Sequence, residues 1–140
     1  MIIKQISVFV ENTPGRLADV TGFLAEAGIN LRALSIADTT DFGILRLVAD
    51  QPELALRRLK HAGFAARESE VIGVEVPDHP GGLARIIALL RDAKVSIEYL
   101  YASLEHSSDK AVIVIKVDAI EFTEGQLGSL PAGTYLRFEV

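Results

Sequence analysis

Asn12 stands two residues ahead of Pro14-Gly15, and Asp78 stands two residues ahead of Pro80-Gly81. An amide side chain can donate to a carboxylate and accept from an ammonium group, whereas an ionised carboxylate only accepts. Asn12 could therefore meet either a carboxylate or an ammonium group, and Asp78 would favour an ammonium group and oppose a carboxylate. Each Pro-Gly leads into a helical pattern. A helix N-terminus leaves several N–H groups unpaired at the positive end of its dipole, which makes it a seat for a carboxylate. Gly15 and Gly81 remove side chains that would block close approach to that backbone, and Gly82 bares the second corner further. The same residues are also ordinary turn chemistry, in which the Asn or Asp side chain satisfies neighbouring backbone. On the sequence alone both readings stay open.

Other chemistry finds fewer candidates. His61, His79 and His106 are scattered; His61 falls late in a helical stretch and His106 in a turn. Asp78 is next to His79, but adjacent residues rarely coordinate one metal, so His79 reads as structural or capping. No catalytic residue and no metal ligand set is expected. Ser7, Ser35 and Ser103 have no base nearby in sequence. Nucleotide phosphates find neither a GxxxxGK[ST] loop nor a strand-linked GxGxxG. Arg16, directly after Pro-Gly, is the single side chain that could cradle a phosphate, and its counterpart is Gly82.

The two corners belong to a repeat with an offset of 66 residues. Val8, Val10, Leu17, Ala18, Leu24 and Ala27 meet identical residues at Val74, Val76, Leu83, Ala84, Leu90 and Ala93. Ile6, Val8 and Val10 alternate with polar Gln5 and Ser7, as a strand with one buried face does. Leu17, Val20, Leu24 and Ala27 follow helical spacing, as do Leu83, Ile86, Leu90 and Ala93. Thr13 suits the N-cap and Pro14 the first helical position. Gly28 suits a left-handed helix end. Lys94 holds that place in the second repeat, so a different cap is expected there. Further strands fall near Asn30–Ala37 and Ser96–Leu104, hairpin turns at "DTTDFG" and "EHSSDK", and third strands at "ILRLVA" and "AVIVIKV". Pro52–Ala62 is a second helix, followed by a strand near Ala65–Glu70. "EFTEGQLGSLPAG" predicts a short or broken helix, followed by a strand over Tyr135–Val140.

This β-α-β-β-α-β order, met twice, predicts an α+β fold of two ferredoxin-like units, each with an antiparallel sheet and both helices on one face. Residues 1–70 form the first unit and 71–140 the second, with no Gly/Ser/Pro linker between them. Tyr99 and Tyr101 share one face of their strand, where unit one has Ala33 and Ser35. They read as core, or as a pocket wall or dimer surface.

Composition bounds the rest. The chain has 140 residues, 49% hydrophobic and 24% charged, which suits packed globular domains. Its net charge of −5 disfavours a nucleic-acid partner. It has no cysteine, which excludes disulfides and thiolate metal sites. The N-terminus lacks the pattern of a signal peptide, and the longest apolar runs, such as 111–115, fall far short of a membrane span. A cytoplasmic protein with no membrane association is expected.

The segment "VFVENTPGRLADVTGFLAEAGINLRALSI" resembles the ACT domain, a small ligand-sensing module of amino-acid metabolism. The family's pattern is a strand, Asn or Asp, one residue, Pro-Gly, one residue, Leu, a helix, then Gly-x-Asn-Ile. The chain carries it as Asn12, Pro14, Gly15, Leu17, Gly28, Asn30 and Leu31, and again as Asp78, Pro80, Gly81 and Leu83, with departures at Lys94 and Ser96. The resemblance spans essentially the whole chain and implies a stand-alone tandem protein without cofactor. It implies that an amino acid or related small molecule is held between adjacent units, against Asn12, Thr13, Pro14, Gly15, Arg16 and Leu17, or against Asp78, His79, Gly81, Gly82 and Leu83. In some serine-sensing relatives the counterpart of Asn30 also touches the ligand. An enzyme partner in amino-acid metabolism follows from the same resemblance, and a homodimer is expected because helices cover only one face of each sheet and leave the other face and the strand edges to be buried. The alternatives are a small ferredoxin-like enzyme, with acylphosphatase-like chemistry at Arg16, or a ligand-free oligomerisation module.

Overall fold

In a computed structural model the chain is described at residues 1–38, 42–107, 109–129 and 136–137. Its elements run β1 (Ile2–Glu11), α1 (Arg16–Glu26), β2 (Leu31–Asp38), β3 (Phe42–Ala49), α2 (Pro52–His61), β4 (Ala65–Pro77), α3 (Gly82–Asp92), β5 (Ile97–Ser107), β6 (Lys110–Val117), α4 (Ile120–Gly128) and β7 (Leu136–Arg137). The fold is α+β, with four helices among the described residues and antiparallel pairing of β3 with β1 and β2, of β6 with β4 and β5, and of β7 with β4.

Two compact units divide the chain: Lys4–Ser69, and Met1–Ile3 together with the chain from Glu70 onward. Met1 belongs with the second because its carbonyl accepts from the Gly73 amide at 2.9 Å and its ammonium group meets Glu124 at 2.8 Å. Two separate ferredoxin-like sheets were expected, and this is corrected. The strand near 65–70 and the strand around Val74 are one uninterrupted 13-residue β4, and β4 pairs with β1. The backbone stays extended through Glu70–Val71, so no break separates the repeats.

In the unit Lys4–Ser69, β3 lies between β1 and β2. Val8 faces Leu45 and Ile6 faces Leu47 in the register. Because side chains alternate, this puts Ile6, Val8, Val10, Leu45 and Leu47 on one face. They pack against Val20 and Leu24 of α1 and Ala55 and Leu59 of α2. Full burial of each such leucine stabilises by about 1.5–3 kcal/mol. The opposite face carries Ser7, Arg46 and Ser35 in one cross-strand row.

In the second unit β6 lies between β4 and β5, and β7 pairs with β4. Ile72, Val74, Val76, Ile113 and Ile115 form a core with Ile86 and Leu90 of α3 and Leu127 of α4. α4 is short, at 9 residues, and runs unbroken to Gly128.

Several expectations change. Leu17 and Leu83 are not core: they are 40% and 37% exposed. Each lies in the first turn of its helix, one turn ahead of Val20 or Ile86, where the buried stripe begins. His106 belongs by its backbone to β5, opposite Ala111, and not to a turn. Lys94 ends α3 as Gly28 ends α1. Both are left-handed, at φ 59 and 73. The residue after each donates to the same helical position, Val95 to Leu90 at 2.9 Å and Ile29 to Leu24 at 3.0 Å. The cap is thus shared, not different. Residues 39–41 of the first hairpin, Ser108 of the second, and all of the predicted last strand except Leu136–Arg137 lie outside the described residues.

Candidate functional site

The corner after β1 is fixed by three backbone hydrogen bonds. Thr13 N–H donates to Glu11 O at 2.8 Å, Arg16 N–H to Thr13 O at 3.4 Å, and Asp19 N–H to Gly15 O at 2.9 Å. The corner after Val76 repeats them: His79 to Pro77 at 3.0 Å, Gly82 to His79 at 3.0 Å, Arg85 to Gly81 at 3.0 Å. The 66-residue sequence repeat is therefore a repeat of hydrogen bonds.

This geometry corrects the predicted cap. Gly15, not Thr13, is the N-cap of α1, and Pro14 lies in the turn before it. Gly15 and Gly81 both adopt φ 90, a left-handed conformation that side chains resist. A Cβ at either would meet nothing within 4 Å. The left-handed backbone calls for glycine at both positions, and the space beside each is open. Gly82 is the opposite case. A Cβ there would come within 2.0 Å of the Pro77 carbonyl oxygen, so Gly82 is a packing residue beneath the corner, not a bared surface.

No side chain caps α1 or α3. Among the described residues, the N–H groups of Leu17 and Ala18, and of Leu83 and Ala84, have no acceptor. Such groups carry the positive end of the helix dipole. Asn12, Thr13, Pro14 and Gly15 are all exposed beside the first pair, as are Asp78, His79, Pro80 and Gly81 beside the second. The His79 ring Nδ1 lies 3.0 Å from Pro80 O, a local contact. Each corner can therefore offer N–H donors to a carboxylate, with an amide at one and a carboxylate at the other.

Arg16 is committed elsewhere. Its guanidinium meets Asp19 at 3.3 Å and lies 5.5 Å over the Phe64 ring, itself 5.9 Å from Phe23. A phosphate cradle would have to give up both contacts.

Asn30 does not join the Asn12 corner. Glu11 pairs with Phe42 at one end of β3, and Leu31 pairs with Ala49 at the other. Eight strand residues at about 3.4 Å separate the two by roughly 24 Å, beyond the span of one amino acid. Asn30 is instead tied through its backbone: its N–H donates to Asp50 Oδ1 at 3.0 Å, and its carbonyl accepts from Asp50 N–H at 3.0 Å. Ser96 and Asp118 repeat this clasp at 3.1 and 3.2 Å. Sequence reasoning missed Asp50 and Asp118, though an aspartate two residues before the second helix of each repeat was a usable signal.

Tyr99 and Tyr101 stack with ring centroids 6.5 Å apart and planes 15° apart. Tyr101 is buried, so it presents no free dimer surface. His61 lies at the end of α2, as expected. No group of three His, Cys, Asp or Glu suited to a metal occurs among the described residues. Among these residues, no helix is long and apolar enough to cross a membrane.

The sequence profile of the ACT domain pair matches residues 1–127. The chain belongs to the ACT domain family. This ACT domain pair is 39% identical to a Bacteroides thetaiotaomicron protein of known crystal structure, with a TM-score of 0.86 over 91% of this chain and 88% of that one. It shares its fold with the regulatory subunit of aspartate kinase from Thermus thermophilus in ligand-free form, at 19% identity and a TM-score of 0.66 over 89% and 88% of the chains. The corresponding subunit from Thermus flavus gives 20% identity and 0.63 over 91% and 92%. No curated protein matches the ACT domain pair.

Proposed function

We propose that this ACT domain pair is a regulatory sensor, not an enzyme, and that it binds an amino acid or a similar small molecule at the Asn12–Leu17 corner. The observation that carries this reading is the exposed, uncapped start of α1 beside an amide side chain. The N–H groups of Leu17 and Ala18 would receive the carboxylate, and Asn12 would bind either end. The Asp78–Leu83 corner has the same backbone but a carboxylate in place of the amide, so it favours the ammonium end and is the weaker seat. The fold shared with aspartate kinase regulatory subunits supports a partner enzyme in amino-acid metabolism; a cytoplasmic, homodimeric working form is part of the same proposal. The strand orders β4-β1-β3-β2 and β7-β4-β6-β5 support a ferredoxin-like reading of each repeat.

A thermal-shift screen over the twenty amino acids tests the proposal. A ligand at one hundred times its Kd adds about 2.7 kcal/mol of stability. At least one amino acid should raise the melting temperature, and calorimetry should then give its stoichiometry. Silence across the panel together with turnover of an acyl phosphate would favour the enzyme reading instead.

A further inference from the structure

The second helices of the two repeats, α2 and α4, hold equivalent places but carry opposite charge. α2 ends in Arg58, Lys60 and His61, with Arg57 exposed beside them. Along it runs an open groove lined by Glu53, Leu56, Arg57, Lys60, His61 and Glu68. Lys4 answers both acids of the groove, Glu53 at 3.0 Å and Glu68 at 3.7 Å. The balance left to the groove is positive, around the apolar floor of Leu56. α4 has no basic residue among Ile120–Gly128. Its Glu124 is held by the Met1 ammonium group, and exposed Glu121 stands next to Phe122, which is 52% exposed. A Cβ at Gly125 would meet nothing, so this side of α4 is open to close approach.

We propose that the α2 groove receives Phe122 from a second copy of the chain, with the partner copy's Glu121 set against Arg57 and Lys60. Charge complementarity favours this occupant. Among the described residues the other exposed phenylalanines, Phe9 and Phe42, stand on strands, whereas Phe122 projects from a helix of the sign opposite to the groove. A buried aromatic anchor rimmed by matched charges is the usual composition of such contacts. The inference rests on the self-association proposed above and is independent of the ligand reading.

Charge reversal tests it by sedimentation, with circular dichroism to confirm folding. Arg57→Glu alone and Glu121→Lys alone should each weaken self-association about tenfold or more, and Phe122→Ser should do the same. The double variant carrying both reversals should recover most of the loss, because each groove again meets an opposite charge. Dimerisation that all four variants leave unchanged would discard this surface while keeping the dimer. Single losses without recovery would discard the Arg57–Glu121 pairing. A single 15.1 kDa species for the parent across the micromolar range would overturn both the surface and the dimer.

Discussion

Asn30 and Asp50 hold one another reciprocally, the Asn30 amide on the Asp50 carboxylate and the Asp50 amide on the Asn30 carbonyl, both at 3.0 Å. The clasp uses the Asn30 backbone and the Asp50 side chain. Asp50→Ala should therefore destabilise the fold by about 1–2 kcal/mol, the scale of a hydrogen bond to a charged acceptor. Asn30→Ala should stay within about 0.5 kcal/mol of the parent, as surface changes outside such features do. Urea unfolding of the two variants measures the contrast. Equal losses would show that the Asn30 side chain carries structure after all.

The left-handed end of α3 makes a second prediction. Lys94 sits at φ 59, where glycine is favoured, and Gly28 sits at φ 73 in the equivalent cap. A non-glycine residue in this region costs of order 1 kcal/mol. Lys94→Gly should therefore raise stability by about 0.5–1 kcal/mol, and Gly28→Ala should lower it by about 1 kcal/mol. Thermal unfolding reads both signs.

Gly82 and Gly15 are adjacent in the aligned repeat but sensitive for different reasons. Gly82→Ala drives a methyl group into the Pro77 carbonyl oxygen, which is backbone and cannot turn aside. Overpacking of this kind typically costs 1–3 kcal/mol, here about 3. Gly15→Ala meets open space and costs only conformational strain, about 1–2 kcal/mol. Unfolding free energies in that order support the assignment, and the reverse order would sink it.

The sequence made the repeat legible because burial and capping both leave periodic marks. The valines of β1 and β4, the Val20–Leu24 and Ile86–Leu90 stripes and the Gly28 helix end all fell where spacing placed them. It hid what depends on backbone dihedrals and distance. Pro14 after Thr13 reads as a helix start, yet Gly15 takes the left-handed turn first. Asn30 belongs to the family pattern, yet the sheet carries it to the end opposite Asn12. Lys94 shows that a cap can keep its geometry after losing its glycine. Two strands in sequence became one β4 because no proline or turn residue stands at Glu70–Val71 and the backbone stays extended across it.

The Lys4–Glu53 pair sets a pH signature. The Glu53 carboxyl is pulled below its ordinary 4.5, first by the hydrogen bond from Lys4. Its contribution is therefore complete above that value and lost as pH falls through the lowered one. The Lys4 ammonium is raised above its ordinary 10.5, first by the hydrogen bond to Glu53. Its contribution is complete below 10.5 and lost as pH rises past the raised value. The parent should melt above Glu53→Gln across the neutral range, with the gap closing in acid below 4.5 and in base above 10.5. Salt should narrow the gap, because the pair is solvent-exposed.

The last prediction separates the two corners. The two corners share three backbone hydrogen bonds, so their difference in ligand preference falls on the side chains, first Asn12 against Asp78 and then Thr13 and Arg16 against His79 and Gly82. An amide beside the free N–H groups of α1 adds a donor for a carboxylate, and an ionised carboxylate beside those of α3 repels it. With an amino acid found by the thermal-shift screen, Asn12→Ala should weaken binding by about 1–2 kcal/mol, roughly five- to thirtyfold in Kd. Asp78→Ala should leave binding unchanged, and Asp78→Asn should create a second site of comparable strength, read by calorimetry as a stoichiometry rising from one to two. Asn12→Ala is the cleaner probe of the first corner, since any substitution at Gly15 strains φ 90 before it touches a ligand. If Asp78→Ala loses the ligand and Asn12→Ala keeps it, the seat is the second corner. If neither substitution changes the Kd, the Pro-Gly corners are turns alone and the sensor proposal falls with them.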